Sequence, residues 1–125
     1  MSTLKVGIAS YDEMKALTMS VARGRRKLAP HEPRVWFPST ESFAKVLSAG
    51  NRELLRTIAE KTPGSLDELA ALTGRKKSNL SRTLKTMAHY GLVRMERGPR
   101  RRLAPKVAYE RIELKLPLID KQHAA

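Results

Sequence analysis

The first part of the chain changes from strand-like to helix-like spacing of its apolar side chains. A short strand is predicted over residues 3–9, where apolar and polar residues alternate. A helix is predicted over residues 11–23, because Ser10 and Glu13 have the spacing of a capping box and Gly24 can end the helix. The apolar positions behind these patterns are Leu4, Val6 and Ile8 in the strand, and Met14, Leu17 and Val21 in the helix.

A basic connector follows this helix. Pro30 and Pro33 exclude a helix there, and Trp36 and Phe37 at its far end are expected to anchor the chain in the core. The basic residues around the connector, which are predicted either to contact phosphates or to be solvated, are Arg23, Arg25, Arg26 and Lys27.

Four further helices are predicted from apolar stripes bounded by capping and stop signals. The last of them, residues 78–90, directs Leu80, Leu84 and Met87 inward. The four helices and their signals are residues 40–48 between Ser39 and Gly50, a helix from Asn51 to Pro63-Gly64, a short helix from the Ser65/Glu68 capping box to Gly74 with Leu66, Leu69, Ala70 and Leu72 inward, and residues 78–90 ended by Gly91.

Two strands are predicted after Gly91. The first covers residues 92–97, in which apolar and polar side chains alternate. Residues 98–102 are predicted to form a basic turn, and the second strand follows Pro105. Val107 and Tyr109 occupy odd positions, whereas the apolar residues that follow, Ile112, Leu114 and Leu116, occupy even positions. In one continuous strand the two sets would point to opposite faces, so we expect a bend near Glu110-Arg111.

The order of these elements predicts an α+β chain with a winged helix-turn-helix, that is, three helices followed by a two-stranded wing. The predicted organisation is a strand–helix extension over residues 1–50, a DNA-binding winged helix over 51–118 and a tail over 119–125. The strands at 4–8 and 112–116 are expected to pair, within one chain or between two. Residues 1–35 are then expected to serve dimerisation, and their removal to leave a folded, largely monomeric winged helix.

Charge is concentrated in one part of the sequence. The 125 residues carry a formal net charge of +13, of which residues 75–102, with ten basic residues and one acidic residue, supply +9. A localised basic segment in a folded chain favours a polyanionic partner.

The predicted helix 78–90 has a polar face opposite its apolar stripe. This face carries hydrogen-bond donors without acidic residues, which suits insertion into the major groove of duplex DNA. Wing arginines can follow phosphates or enter a narrow minor groove. The candidate DNA-binding residues are Arg75, Lys76, Lys77, Ser78, Asn79, Ser81, Arg82, Lys85, Thr86 and His89 around the helix, and Arg97, Arg100, Arg101 and Arg102 in the wing.

Other function classes find little support. His31, His89 and His123 lack metal-ligand spacing, and no cysteine or glycine-rich phosphate loop is present, so we expect no enzyme, metal or cofactor. No apolar run has the length of a membrane span or a secretory signal, so we expect no membrane partner and a cytoplasmic location.

Three stretches of residues 54–116 match the pattern of a known family, namely SLDELA at 65–70, SNLSRTL at 78–84 and YGLV at 90–93. Through these stretches residues 54–116 resemble the MarR-like winged-helix transcriptional regulators. The stretch YERIEL at 109–114 is similar to a subfamily of small prokaryotic regulators, some of which act as antitoxins.

The resemblance implies a dimeric repressor that binds specific sequences of double-stranded DNA. One alternative is an antitoxin that binds a toxin protein through residues 1–50 and represses its own operon. Another is a nucleic-acid binder without sequence preference.

Overall fold

The computed structural model describes residues 2–24, 32–98 and 102–119. Over these residues the protein has an α+β fold with five helices and five strands, so the α+β part of the expected fold is confirmed. In chain order the elements are β1 (Thr3–Ile8), α1 (Tyr11–Ala22), β2 (Val35–Phe37), α2 (Thr40–Val46), α3 (Ala49–Lys61), α4 (Leu66–Thr73), α5 (Lys77–His89), β3 (Val93–Arg97), β4 (Leu103–Val107) and β5 (Arg111–Lys115).

Three strands form a parallel sheet in the order β2-β1-β5. In the central strand, Leu4 stands opposite Ile112 and Val6 opposite Leu114. The predicted pairing of these two segments is confirmed, and it occurs within one chain. The two buried residues of the pairs, Leu4 and Val6, point to the same side of the sheet.

The other two strands, β3 and β4, form an antiparallel hairpin. Pro105 lies inside β4 opposite Met95, whereas the sequence predicts this strand only after Pro105. A two-stranded hairpin has no neighbour on the outer side of β4, so the missing N–H of a proline costs no ladder bond there. The predicted bend is confirmed at residues 108–110, where the Glu110 N–H donates to the Ser2 carbonyl at 3.2 Å and the chain passes from the hairpin into the parallel sheet.

One hydrophobic core joins both halves of the chain. Phe37 is fully buried, which confirms its predicted role as an anchor. Its ring stacks on Tyr90 at 4.0 Å and meets Phe43 edge-on at 5.2 Å. The fully or almost fully buried members of the core are Leu4, Val6, Phe37, Leu54, Ile58, Leu69, Leu80, Leu84, Met87, Leu92 and Val93.

Residues 1–35, which the sequence predicts to be dispensable for the folding of the winged helix, contribute to the shared core. Those residues include β1, the central strand of the sheet, and their removal would strip Leu4 and Val6 from the core. Deleting two buried aliphatic residues and a central strand costs a large part of the stability of a domain this small.

The boundary between α2 and α3 also differs from the prediction. Gly50 does not end a helix and Asn51 does not cap one, because both lie inside α3. The cap is Ser48, whose hydroxyl accepts a hydrogen bond from the Asn51 N–H at 3.2 Å. Serine satisfies a free N–H of the first turn as well as asparagine would, so sequence alone does not decide between two cap candidates three residues apart.

Helix α1 is the least buried of the helices. Its apolar positions Met14 and Leu17 are only half-buried and Val21 is exposed, so no residue of α1 is buried within one chain. Leu72, expected to point inward from α4, is 45% exposed. The prediction of burial for Leu72 is corrected, because an apolar stripe is buried only as far as neighbouring elements cover it.

We expect Gly7→Ala in β1 to destabilise the fold by about 1–3 kcal/mol. A Cβ at this position would lie 2.5 Å from the Trp36 ring and 3.0 Å from Pro33, so the half-buried indole would have to move. Urea unfolding measures the effect. The matched control is Gly50→Ala near the start of α3, where the nearest atom is a guanidinium nitrogen of Arg75 at 3.4 Å and the change is expected to be neutral or slightly stabilising. Equal stabilities of the two variants would contradict the proposed clash.

Candidate nucleic-acid interface

Helices α4 and α5 are joined by a turn of three residues. Ser65 starts α4 by accepting from the Glu68 N–H at 3.1 Å, while the Glu68 carboxylate accepts from the Gly64 N–H at 2.9 Å. Gly74 ends α4 in the left-handed region, with φ at 75°. The next helix begins at Lys77, so α5 follows α4 after only three residues, and the two helices contact each other.

Helix α5 has the two faces that its sequence predicts. Leu80, Leu84 and Met87 are buried against the core, and Gly91 follows the helix with a positive φ of 78°. The opposite face is exposed along its whole length. Its exposed side chains are those of Lys77, Ser78, Asn79, Ser81, Arg82, Lys85, Thr86 and His89.

Arg75 is the candidate residue whose placement departs most from a DNA contact. Its guanidinium donates to the Gly50 carbonyl at 2.9 Å and to the Asn51 side-chain oxygen at 3.3 Å. Asn51 in turn donates to the Val46 carbonyl at 3.1 Å. Arg75 therefore ties the turn before α5 to the start of α3, a bridge that the sequence pattern does not reveal.

Two further candidates have partners within the chain. Lys77 forms an exposed ion pair with Asp67 of α4, at 3.1 Å. The Thr86 hydroxyl donates to the Arg82 carbonyl at 3.3 Å, which leaves its lone pairs for an external donor. Exposed ion pairs contribute little and exchange readily, so Lys77 remains able to turn toward an anion.

The hairpin places two basic residues at the base of its tip. Arg97 ends β3, and exposed Arg102 precedes β4, with the Arg102 carbonyl accepting from the Gly98 N–H at 2.7 Å. Arg100 and Arg101 lie outside the described residues. A Cβ on Gly98 would lie 3.5 Å from the Gly64 carbonyl, so the tip starts beside the turn that leads into α4. That end of α4 also carries Asp67, the partner of Lys77, so Gly98 of the hairpin and the start of α5 both lie near the start of α4.

The basic connector and the three histidines are described only in part. Of the basic connector, Arg23 is described and is exposed, whereas Arg25, Arg26 and Lys27 lie outside the described residues, as do His31 and His123. Within the described ranges no three potential ligands come close enough to hold a metal ion. In the same ranges, no helix has both the length and the apolar character needed to cross a membrane.

The surface matches the part of the chain that a family model recognises. A family model described as HVO_A0114 matches residues 46–114, which run from the end of α2 through α5 and the hairpin into β5. No curated protein and no solved structure matches the chain.

Proposed function

The chain belongs to the HVO_A0114 family, and we propose that it is a transcriptional regulator that binds double-stranded DNA through a winged helix-turn-helix. The observation that carries this proposal is the outer face of α5, which is exposed from end to end, rich in donors and free of acidic side chains. In this reading α3, α4 and α5 are the three helices and the β3–β4 hairpin is the wing.

Helix α5 has the size and chemistry for the major groove. A major groove about 12 Å wide admits a helix of about 10–12 Å diameter. Arg82 can bind guanine O6 and N7 with both arms of its guanidinium, and Asn79 can pair with adenine. Both side chains are exposed and lie on the outward half of the helix.

The hairpin supplies a second contact, which is made with the sugar-phosphate backbone of the DNA. Arg97 and Arg102 flank a tip whose sequence adds Arg100 and Arg101. Guanidinium groups at such a tip grip phosphates or enter a narrow minor groove, which fixes the position of the protein without reading each base.

We expect Arg82→Ala to cost about 1–3 kcal/mol on the preferred site and to relax base preference at one position, because a bidentate base contact is lost. Arg102→Ala should weaken preferred and random duplexes by similar factors, as the loss of a phosphate contact does. Selection of bound duplexes from a random pool, followed by fluorescence anisotropy on the selected and a scrambled duplex, measures both effects.

The matched control is Arg56→Ala on α3, an exposed arginine paired with Glu53 at 3.3 Å. This variant should bind both duplexes as the parent does. If Arg82→Ala weakened the two duplexes equally, base reading by Arg82 would be wrong. If the parent showed no preference among duplexes, the protein would be a non-specific nucleic-acid binder instead.

The antitoxin alternative is favoured by one feature of residues 1–50. Their strands β1 and β2 are used in the chain's own sheet, but α1 exposes Tyr11, Met19 and Val21. A protein partner of this segment would therefore bind α1. Co-purification with a neighbouring small gene product, lost on Tyr11→Ser with Met19→Ser while DNA affinity is kept, is the result that would support it.

A further inference from the structure

Strand β5 forms one edge of the parallel sheet, because β1 pairs with it on one side and β2 lies beyond β1. Its apolar side chains continue past the sheet at a period of two. Leu114 is 37% exposed, Leu116 47% and Leu118 95%, and all three follow the half-buried Ile112. An exposed apolar edge strand is a template for another strand.

We propose that β5 pairs in an antiparallel manner with β5 of a second copy of this chain, around a two-fold axis through Leu114. The result is a six-stranded sheet in which both copies use the same surface. In this register Ile112 stands opposite the second copy's Leu116, and Glu113 opposite its Lys115.

Charge complementarity selects this register over its neighbours. Glu113 and Lys115 are exposed and point to the face opposite the apolar stripe. With Leu114 on the axis, each Glu113 meets a Lys115 and the contact occurs twice. If the axis passed through Lys115 instead, the lysines of the two copies would stand opposite each other and repel. Within each chain Lys115 pairs with Gly7, which has no side chain that could offset this repulsion.

The apolar face of the same pairing is also matched. A groove of about 1080 Å³ runs beside β5 on the side of its apolar stripe, and its lining includes Leu47, Leu55, Tyr109 and Ile112. Leu118, which follows Pro117 beyond the end of β5, is 95% exposed. In the antiparallel arrangement it leaves the paired segment on the side where Tyr109 of the second copy lines the groove, so this leucine of each copy can cover the groove of the other.

Pro117 limits the pairing to a short ladder. It stands opposite Arg111 of the second copy and lacks an N–H, so further strand addition stops there. A ladder of five residues buries less than the ~800 Å² per partner of a typical stable interface. The contact of Leu118 with the groove supplies the additional apolar area.

The test uses the full chain without DNA, so its outcome is separate from that of DNA binding. Sedimentation equilibrium over a concentration series should show a dimer for the parent chain. Glu113→Lys and Lys115→Glu should each weaken dimerisation about tenfold or more, because each turns two attractive cross-strand pairs into two repulsive ones. The double variant with both changes should regain the parent's affinity.

Mixing the two single variants is the most decisive part of the test. Glu113→Lys and Lys115→Glu chains, each weakly self-associating, should form a heterodimer, because every cross-strand pair between them joins opposite charges. Tagging one variant and recovering the other with it detects this. The matched control is Glu60→Lys and Lys61→Glu on α3, two exposed neighbours of opposite charge, which should leave dimerisation unchanged.

Three results would overturn the proposal. They are a parent chain that stays monomeric, a dimer indifferent to both single variants, and single variants whose loss is restored neither by combination nor by mixing. Since Glu113 also stands opposite Lys5 in its own sheet, the unfolding midpoint of each variant is measured alongside. Lys115 stands opposite Gly7, so the Lys115→Glu variant tests dimerisation without changing a charge pair inside the sheet of one chain.

Discussion

Raising the salt concentration from about 0.05 M to about 0.2 M is expected to weaken binding to duplex DNA by about 10³- to 10⁵-fold. The physical reason is counterion release. If a dimer neutralises about six to ten phosphates, the logarithm of the affinity falls with the logarithm of salt concentration at a slope of about −5 to −9. The basic residues that would do this lie within residues 75–102, which carry a net charge of +9.

A matched pair of lysine variants shows which part of the surface causes the salt dependence. Lys85→Gln, on the exposed face of α5, should make the slope shallower by about one, because one phosphate contact is lost. Lys15→Gln, an equally exposed lysine on α1, should leave the slope unchanged. Anisotropy titrations at four or more salt concentrations give the slopes. A slope near zero for the parent chain would mean that the +9 segment does not meet the DNA backbone.

Phe37→Ala is expected to destabilise the protein by about 3–5 kcal/mol, which is a large share of the stability of a domain of this size. Phe37 is fully buried, and its ring lies between those of Tyr90 and Phe43. The truncation would leave a cavity where β2, α2 and the end of α5 meet. Urea unfolding followed by circular dichroism measures the change.

Tyr11→Ala is the control for Phe37→Ala. This aromatic residue is 74% exposed at the start of α1, so its truncation should change the free energy of unfolding by less than about 0.5 kcal/mol. A double-mutant cycle between Phe37 and Tyr90 should return about 0.5–1.5 kcal/mol for the stacked pair. A Phe37→Ala chain as stable as the parent would refute the view that this ring joins the two halves of the core.

The parts of the fold that sequence predicted well are those fixed by neighbours in the chain. Ser10, Ser39 and Ser65 each cap the helix that follows, because a hydroxyl needs only the N–H three residues later. The outward face of α5 was predicted for the same reason, since a period of 3.6 residues divides any helix with one apolar stripe into two faces.

The parts that sequence missed depend on distant residues. Strand β2 is three residues long and exists because β1 offers it an edge. The hydrogen bonds of Arg75, a candidate DNA contact, to Gly50 and Asn51 join positions about 25 residues apart in the chain. Neither contact leaves a periodic signal. Charge alone therefore overestimates how many basic residues of a segment are available to an external anion.

The central position of β1 has a consequence for the synthesis of the protein. Thr3 pairs with Arg111, so β1 leaves the ribosome before its partner strand, and the sheet stays incomplete until 108 further residues have been added. At about 5–20 residues per second this takes about 5 to 20 s. During that time one side of β1 has open backbone groups, which can recruit the same segment of another nascent chain. A premature stop codon just before residue 111 would make that exposure permanent, and we expect its product to aggregate rather than to accumulate as a smaller DNA-binding protein.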